Sequence, residues 1–213
     1  MKSMIVKLIG GLKNEKTTDE VNKILKRIRN QIEYLARDFV PRFRVRGMTS
    51  FIYNNNGNKE LVGAEIGVDL GRNAKTMLSI LPINKLYLID PYSYYDEYKN
   101  IYNTQDDYNK CETKARELLK SFNNKIEFIK SFSEDAKDSI PDNLDFVYID
   151  GNHNYSFVKK DIELYWSKVK DGGVLGGHDF NANHFDVVRA VLEFTDKNNL
   201  ELMGQSNDWW VIK

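Results

Sequence analysis

The sequence predicts an α/β domain with a doubly wound, mostly parallel seven-stranded sheet, an antiparallel C-terminal hairpin and a helix at the N terminus. Three observations predict this fold class. The 213 residues suit one compact domain, and a hydrophobic content of 41% is enough for a sizeable core. After residue 60, short apolar runs alternate with helical segments, which is typical of a parallel sheet covered on both faces. Ligands in such sheets bind beyond the carboxyl ends of the strands, so we expect one site there.

An amphipathic helix is predicted before the sheet. Thr17 and Glu20 fit a capping box, and apolar residues then recur at helical spacing until Pro41. Residues 1–46 hold 12 Lys or Arg against 5 Asp or Glu, although the whole chain has no net charge. We therefore divide the chain into a helical arm over 1–46 and a sheet domain over 47–213. The basic arm suits nucleic acid, acidic lipid, or contact with the acidic body or a second subunit. Contact with the acidic body or a second subunit is favoured, because no nucleic-acid-binding motif accompanies the charge.

Five apolar runs are predicted to form the parallel strands, and a hairpin closes the sheet. The runs cover residues 62–68, 85–90, 125–130, 144–150 and 173–177. The helical segments between and after them cover residues 74–81, 113–122, 156–169 and 185–196. The hairpin joins residues 200–203 to residues 209–212. Residues 42–53, ahead of the first strand, are predicted to form an irregular connection.

A glycine-containing loop follows the first strand of the sheet. It contains Glu65, Gly67, Asp69, Gly71 and Asn73, and the two glycines allow the backbone to approach a ligand closely. The spacing differs from the G-x-G-x-x-G of dinucleotide sites, and the two carboxylates would repel a diphosphate. S-adenosylmethionine carries an ammonium and a sulfonium group and no phosphate, so its charge matches this loop.

A carboxylate ends the second strand of the predicted sheet. Asp90 lies about 19 residues beyond the glycine loop, where an acidic group can accept hydrogen bonds from both ribose hydroxyls. The loop and Asp90 together therefore predict a nucleoside-containing cofactor. In the alternative interpretation, the glycines serve only a turn and Asp90 closes a loop.

Four segments of the chain together resemble class I methyltransferases of the methyltransferase-24 type, which includes macrocin-like sugar O-methyltransferases. They cover residues 65–71, 88–90, 149–153 and 172–179, and the resemblance spans about residues 60–213. It implies that the glycine loop, with Asp150, binds the methionine part of S-adenosylmethionine, that Asp90 binds the ribose and that Ser133 lies at the adenine edge. Ser133 is also predicted as a cap of the following turn.

Two carboxylates and two imidazoles follow the fourth and fifth strands. Asp150 and His153 come after the fourth strand, and His178 and Asp179 come after the fifth, so we expect all four at one rim of the sheet. The resemblance implies that Asp150, His178 and Asp179 match the ligands of Mg²⁺ or Mn²⁺ and that His153 matches a general base. Relatives that bind magnesium usually have a carboxylate in place of His178. The alternative is that both histidines only hydrogen-bond loops below the cofactor.

The predicted activity is methyl transfer from S-adenosylmethionine to a hydroxyl group of a sugar or other small molecule, with Asp150 and His153 as catalytic residues. A metal-dependent hydrolase that uses the Asp/His cluster and a non-catalytic cofactor-binding module are the alternatives. The hydrolase leaves the glycine loop and Asp90 unexplained. An amino-methylation motif of the Asn/Asp-Pro-Pro-Tyr/Phe type does not occur, which argues against methylation of the amino groups of nucleic-acid bases.

Composition and position along the chain predict the location, the partners and the acceptor side. Cys111 is the single cysteine and lies in a polar stretch, and no apolar run has the length of a membrane span, so we expect a cytoplasmic protein. We also expect no membrane partner, and a homodimer is a candidate assembly. Candidate acceptor contacts are a tyrosine face of Tyr94, Tyr95, Tyr98 and Tyr102, which is either a lid or packing, and a second flap of Arg44, Arg46, Met48 and Thr49. Trp209 and Trp210 are predicted in the core or a dimer contact, and His184 at the surface.

Overall fold

The computed structural model describes residues 45–93 and 104–213. Most of the predicted N-terminal arm and the four tyrosines of the predicted tyrosine face lie outside the described residues. Among the helices that are described, none is both long enough and apolar enough to cross a membrane.

Seven strands form one mixed sheet in the described part of the chain. They are β1 Leu61–Ile66, β2 Ile83–Ile89, β3 Ile126–Ile129, β4 Leu144–Ile149, β5 Val169–Gly177, β6 Met203–Gln205 and β7 Asp208–Ile212. Their order across the sheet is β3-β2-β1-β4-β5-β7-β6. The first five run parallel, whereas β7 is antiparallel to both β5 and β6. The predicted fold class is therefore confirmed, and the sheet reverses its winding beside β1 and β4, where a ligand crevice is expected.

Six α-helices accompany these strands within residues 45–93 and 104–213. They are α1 Gly47–Asn55, α2 Arg72–Ile80, α3 Gln105–Leu118, α4 Ser133–Ala136, α5 Tyr155–Trp166 and α6 Phe185–Lys197. Helix α3 begins before the predicted residue 113 because Thr104 and Asp107 form a capping box that starts it. Its inner face buries Tyr108 and Cys111, and Sγ of Cys111 lies 3.2 Å from Oδ1 of Asp69.

Apolar residues cover both faces of the sheet. One cluster joins α1, α2 and α3 to the sheet and includes Trp210, and the other joins α5 and α6 to the opposite face and includes Trp209. The two tryptophans are neighbours on β7, so their side chains point to opposite faces and both belong to the core.

The prediction of an irregular connection over residues 42–53 is wrong, because residues 47–55 form α1. Met48 and Thr49, predicted as part of a flap, are 0% and 1% exposed and belong to the core. A Cβ atom at Gly47 would lie 2.7 Å from Cβ of Gln205, so the helix packs directly on the C-terminal hairpin. Tertiary packing against distant strands therefore specifies α1.

Candidate active site

The glycine loop turns sharply between β1 and α2. Gly67 and Gly71 have φ angles of +82° and +74°, which side chains rarely adopt, and Gly71 is the N-cap of α2. A Cβ atom at Gly67 would lie 2.1 Å from the carbonyl oxygen of Asp150. The loop therefore passes in direct contact with the end of β4, and glycine is required there for both conformation and space.

Glu65 is a buried carboxylate at the base of this loop. Its side chain is 1% exposed, and Oε1 accepts a hydrogen bond of 2.8 Å from Nδ2 of Asn73. Oε2 of Glu65 and Oδ1 of Asn73 have no hydrogen-bond partner within the described residues. Burial raises the pKa of Glu65 to about 8, although the bond from Asn73 opposes the rise. Two unsatisfied acceptors beside a cavity suit a cationic donor such as an ammonium group.

Asp90 holds the glycine loop in place through backbone hydrogen bonds. Its Oδ2 accepts bonds from the N–H groups of Val68 and Asp69 at 2.9 and 3.0 Å, and Oδ1 accepts one from Tyr92 at 2.8 Å. Burial raises the pKa of Asp90, and these three bonds oppose the rise. Asp90 thus closes a loop, as the alternative interpretation held, while it also lines the ligand cavities described next.

Two neighbouring cavities meet at Gly67, Asp90 and Gly151. The first, of about 330 Å³, lies between the glycine loop and the Asp/His residues after β4 and β5. The second, of about 360 Å³, is lined mainly by apolar residues and includes Phe132 and Ser133. A polar cavity joined to an apolar one suits an elongated ligand with a charged end and an aromatic end.

Ser133 is not a helix cap, because it is the first residue of α4 and Phe132 holds the N-cap position. Its hydroxyl donates instead to Oδ1 of Asp161, a buried residue of α5. Burial raises the pKa of Asp161 to about 6 even though Ser133 hydrogen-bonds to it. Asp161 was missed by sequence reasoning, since a single Asp between Lys160 and Ile162 resembles any helix-surface acid.

The four rim residues predicted to converge do so. Nε2 of His153 lies 2.9 Å from Oδ2 of Asp179, and Nδ1 of His178 lies 3.1 Å from Oδ1 of Asp179 and 3.8 Å from Oδ1 of Asp150. Burial acts to raise the pKa of Asp179, but hydrogen bonds from both imidazoles hold it far below its usual range. Burial acts to lower the pKa of His178, yet Asp179 and Asp150 outweigh it and the pKa is raised.

His184, predicted at the surface, is partly exposed and also belongs to this cluster. Its Nε2 lies 3.7 Å from Oδ1 of Asp179, and its ring centroid lies 4.3 Å from that of His153. The side chain is 32% exposed. His184 lies in the loop before α6, and a loop has no sequence periodicity from which the direction of its side chain could be predicted.

A hydrogen-bonded set of residues that includes Tyr148 and Asp208, which sequence reasoning missed, links the site to α1. Nη1 of Arg46 lies 2.5 Å from Oδ2 of Asp150 and 2.9 Å from the hydroxyl of Tyr148. That hydroxyl donates to Oδ1 of Asp208 at 2.8 Å, and Oδ2 of Asp208 accepts the N–H of Met48 at 3.0 Å. Burial raises the pKa of Asp208 to about 6. Arg46, predicted as part of a flap, is therefore anchored within the site.

The predicted metal ligands come together. One potential ligand atom from each of Asp150, His178 and Asp179 lies within 4.8 Å of the others. Two carboxylates and an imidazole fit Mg²⁺ or Mn²⁺ in number and chemistry. The guanidinium group of Arg46 already pairs with one oxygen of Asp150, so an ion would share that carboxylate.

A family model described as a methyltransferase domain matches residues 64–180 of this chain. Among solved structures, the chain is similar to a Corynebacterium glutamicum protein with 15% identity and a TM-score of 0.57, covering 86% of this chain and 88% of that one. It is similar to an rRNA methylase from Streptococcus thermophilus with 13% identity, a TM-score of 0.57 and coverage of 82% and 99%. It is also similar to the O-methyltransferase NovP with 17% identity and a TM-score of 0.54, covering 79% of this chain and 77% of NovP. At these identities the likeness supports the fold alone.

The chain is also 26% identical over 126 residues to protein R132 of Acanthamoeba polyphaga mimivirus. The match covers 57% of this chain and 52% of R132, so the chain spans about half the length of that curated relative.

Proposed function

Because this chain belongs to the methyltransferase-24 family of class I methyltransferases, which use S-adenosylmethionine, we propose that it methylates a hydroxyl group of a sugar or other small molecule. The observation that carries the proposal is the polar cavity, which is lined by Glu65, Asp90, Asp150, His153 and Asp179. A methyl donor and a proton acceptor can therefore share one cavity. The domain responsible is residues 47–213.

The cofactor occupies both cavities in this proposal. The unpartnered oxygens of Glu65 and Asn73 receive the ammonium group, while the methionine part lies along Gly67, which lines both cavities. The remaining lone pair of Asp90, on Oδ1, accepts a ribose hydroxyl. The adenine ring enters the apolar cavity beside Phe132 and Ser133.

His153 acts as the base that takes the proton of the acceptor hydroxyl. Its Nε2 is 2.9 Å from the ionised Asp179, so the ring proton lies between these two atoms and Nδ1 carries the lone pair that accepts a proton. Asp179 stabilises the imidazolium that forms. Such proton transfer contributes about 10²–10⁴-fold to a rate, and alignment of donor and acceptor contributes more.

We further propose that Asp150, His178 and Asp179 hold Mg²⁺ or Mn²⁺. Such an ion, when bound, lowers the pKa of a hydroxyl group that coordinates it. Arg46 fixes one oxygen of Asp150 and so orients the carboxylate. His178 faces Asp150 and Asp179 through Nδ1, which must be deprotonated to serve as a ligand.

The proposal is tested with S-adenosylmethionine binding by calorimetry and formation of S-adenosylhomocysteine with a panel of sugars and small hydroxyl compounds. We expect His153→Ala to keep cofactor binding and to lose about 10²–10⁴-fold in turnover. Lys197→Ala, a change at an exposed residue of α6, should match the wild type in both. EDTA should lower turnover and Mg²⁺ or Mn²⁺ should restore it.

Two results would contradict the proposal. Absence of S-adenosylmethionine binding would remove the cofactor site. Methylation of amines, thiols or carboxylic acids in place of hydroxyl groups would overturn the acceptor class.

A further inference from the structure

All three histidines of the chain lie around one carboxylate, that of Asp179. His178 lies between Asp179 and Asp150, where the magnesium site is proposed. His153 and His184 contact Asp179 and each other, with ring planes inclined at 48°. The proposed methyl transfer uses His153 as the base and His178 as a metal ligand, so it does not explain why His184 is directed to the same carboxylate.

We propose that His153, Asp179 and His184 form a binding site for a transition-metal ion such as Zn²⁺, separate from the magnesium site that shares Asp179. One potential ligand atom of each residue lies within 4.8 Å of the others. Nε2 of His153 lies 2.9 Å from Oδ2 of Asp179, and Nε2 of His184 lies 3.7 Å from Oδ1 of Asp179. Tetrahedral zinc with bonds of about 2.0–2.1 Å places neighbouring donors about 3.3 Å apart, so small side-chain rotations complete the site.

The donor chemistry distinguishes this site from its neighbour. Two imidazoles and one carboxylate favour zinc and related ions over magnesium, which prefers oxygen ligands. The neighbouring set has two carboxylates and one imidazole. Because both sets need Asp179, the identity of the ion in the medium decides which set is used.

The local backbone supports a site centred on Asp179. Asp179 has a φ angle of +58°, a left-handed conformation that costs a non-glycine residue about 1–3 kcal/mol and is often retained at functional sites. His184 is the N-cap residue of α6, yet its side chain makes no capping hydrogen bond and turns to Asp179 instead. The three side chains are between 16% and 32% exposed, so an ion can reach them from solvent.

Metal binding at this site has a chemical consequence for His153. An ion bound to Nε2 displaces the ring proton shared with Asp179, and the neutral imidazole then carries its proton on Nδ1. Nδ1 can no longer accept a proton from the acceptor hydroxyl. Zinc at this site therefore inhibits methyl transfer. The inhibition depends on the proposed function, whereas the binding does not.

The binding is tested by titrating the full chain with Zn²⁺ and following the imidazole signals by NMR, which resolves them because the chain has three histidines. We expect Zn²⁺ to shift the His153 and His184 signals and to move the proton of His153 from Nε2 to Nδ1. His184→Asn should weaken Zn²⁺ binding at least about tenfold, the loss seen when even outer partners of a metal are removed.

Asp150→Asn is the matched control, because it removes a ligand of the neighbouring set alone. It should leave Zn²⁺ affinity within about twofold of the wild type, well below the loss typical of a metal partner. Equal Zn²⁺ affinity in His184→Asn and wild type would overturn the proposal. A shift of the His178 signal that disappears in Asp150→Asn would place zinc in the neighbouring set and would also overturn it. If zinc binds as expected but turnover is unaffected, the base assigned to His153 is wrong while the metal site stands.

Discussion

Glu65 and Asp179 line the same cavity, but their surroundings move their pKa values in opposite directions. Burial dominates at Glu65, whose pKa rises to about 8, because one hydrogen bond from Asn73 does not replace water. At Asp179 the hydrogen bonds from two imidazoles outweigh burial, and its pKa falls far below the usual range. Near neutral pH, Glu65 is therefore protonated until a cation arrives, whereas Asp179 is always charged.

The raised pKa of Glu65 predicts how stability depends on pH. The carboxyl titrates near pH 8 in the folded chain and near 4.5 in the unfolded chain, so its contribution is complete below pH 4.5 and is lost as pH rises through 8. In denaturant unfolding without cofactor, we expect the free energy of unfolding of the wild type to fall relative to Glu65→Gln by a few kcal/mol between pH 5 and 9. Asp161 and Asp208 are present in both proteins, so their contributions to the pH dependence cancel in the difference. Parallel curves for the two proteins would show that Glu65 is ionised throughout.

At the scale of elements, the loop between β1 and α2 depends on the backbone of β4. Gly67 meets the Asp150 carbonyl so closely that a methyl group has no space, and Asp90 ties the same loop to the end of β2. The cofactor loop and the residues after β4 therefore have to be assembled together.

Replacement of Gly67 by Ala tests this contact, and Gly57→Ala provides the control. Both glycines have positive φ, +82° and +60°, but nothing lies within 4 Å of a Cβ at Gly57. Gly57→Ala should cost about 1–2 kcal/mol, the price of the left-handed conformation alone. Gly67→Ala should cost more and should abolish S-adenosylmethionine binding, as measured by unfolding and calorimetry. Equal costs for the two variants would mean that the loop yields easily at β4.

For the whole molecule, the parallel sheet could be predicted because β1, β2 and β4 are short, mostly apolar runs, and Asp90 and Asp150 follow the last two of them. The convergence of Asp150, His153, His178 and Asp179 could then be predicted, since the carboxyl ends of neighbouring parallel strands meet at one edge of the sheet. Helix α1 could not be predicted, because it depends on contacts with β6 and β7, including a bond between Met48 and Asp208. The contacts of Arg46 and Asp208 could not be predicted for the same reason, because their partners lie 104 and 60 positions away in the sequence. His184 was hidden because a loop gives no periodicity.

Cofactor binding should stabilise the described domain as one unit. If S-adenosylmethionine bridges the glycine loop, Asp90 and the apolar cavity, a concentration 100-fold above Kd should add about 2.7 kcal/mol to the free energy of unfolding. For a chain of this size, each kcal/mol of added free energy of unfolding raises Tm by roughly 2–4 °C. NAD⁺ is the control, because its diphosphate is repelled by the carboxylate of Asp69, which lines the polar cavity. A comparable rise with NAD⁺ would contradict the charge argument for this loop.

The adjacent tryptophans of β7 have a practical consequence for studying this chain. Trp209 is 1% exposed in one apolar cluster and Trp210 is 5% exposed in the other, although they are consecutive residues. Variants that retain one of the two indoles give fluorescence from one side of the sheet at a time, once Trp166 is also replaced. Emission from neighbouring positions can thus reveal whether the two helical layers separate from the sheet in one event or in succession.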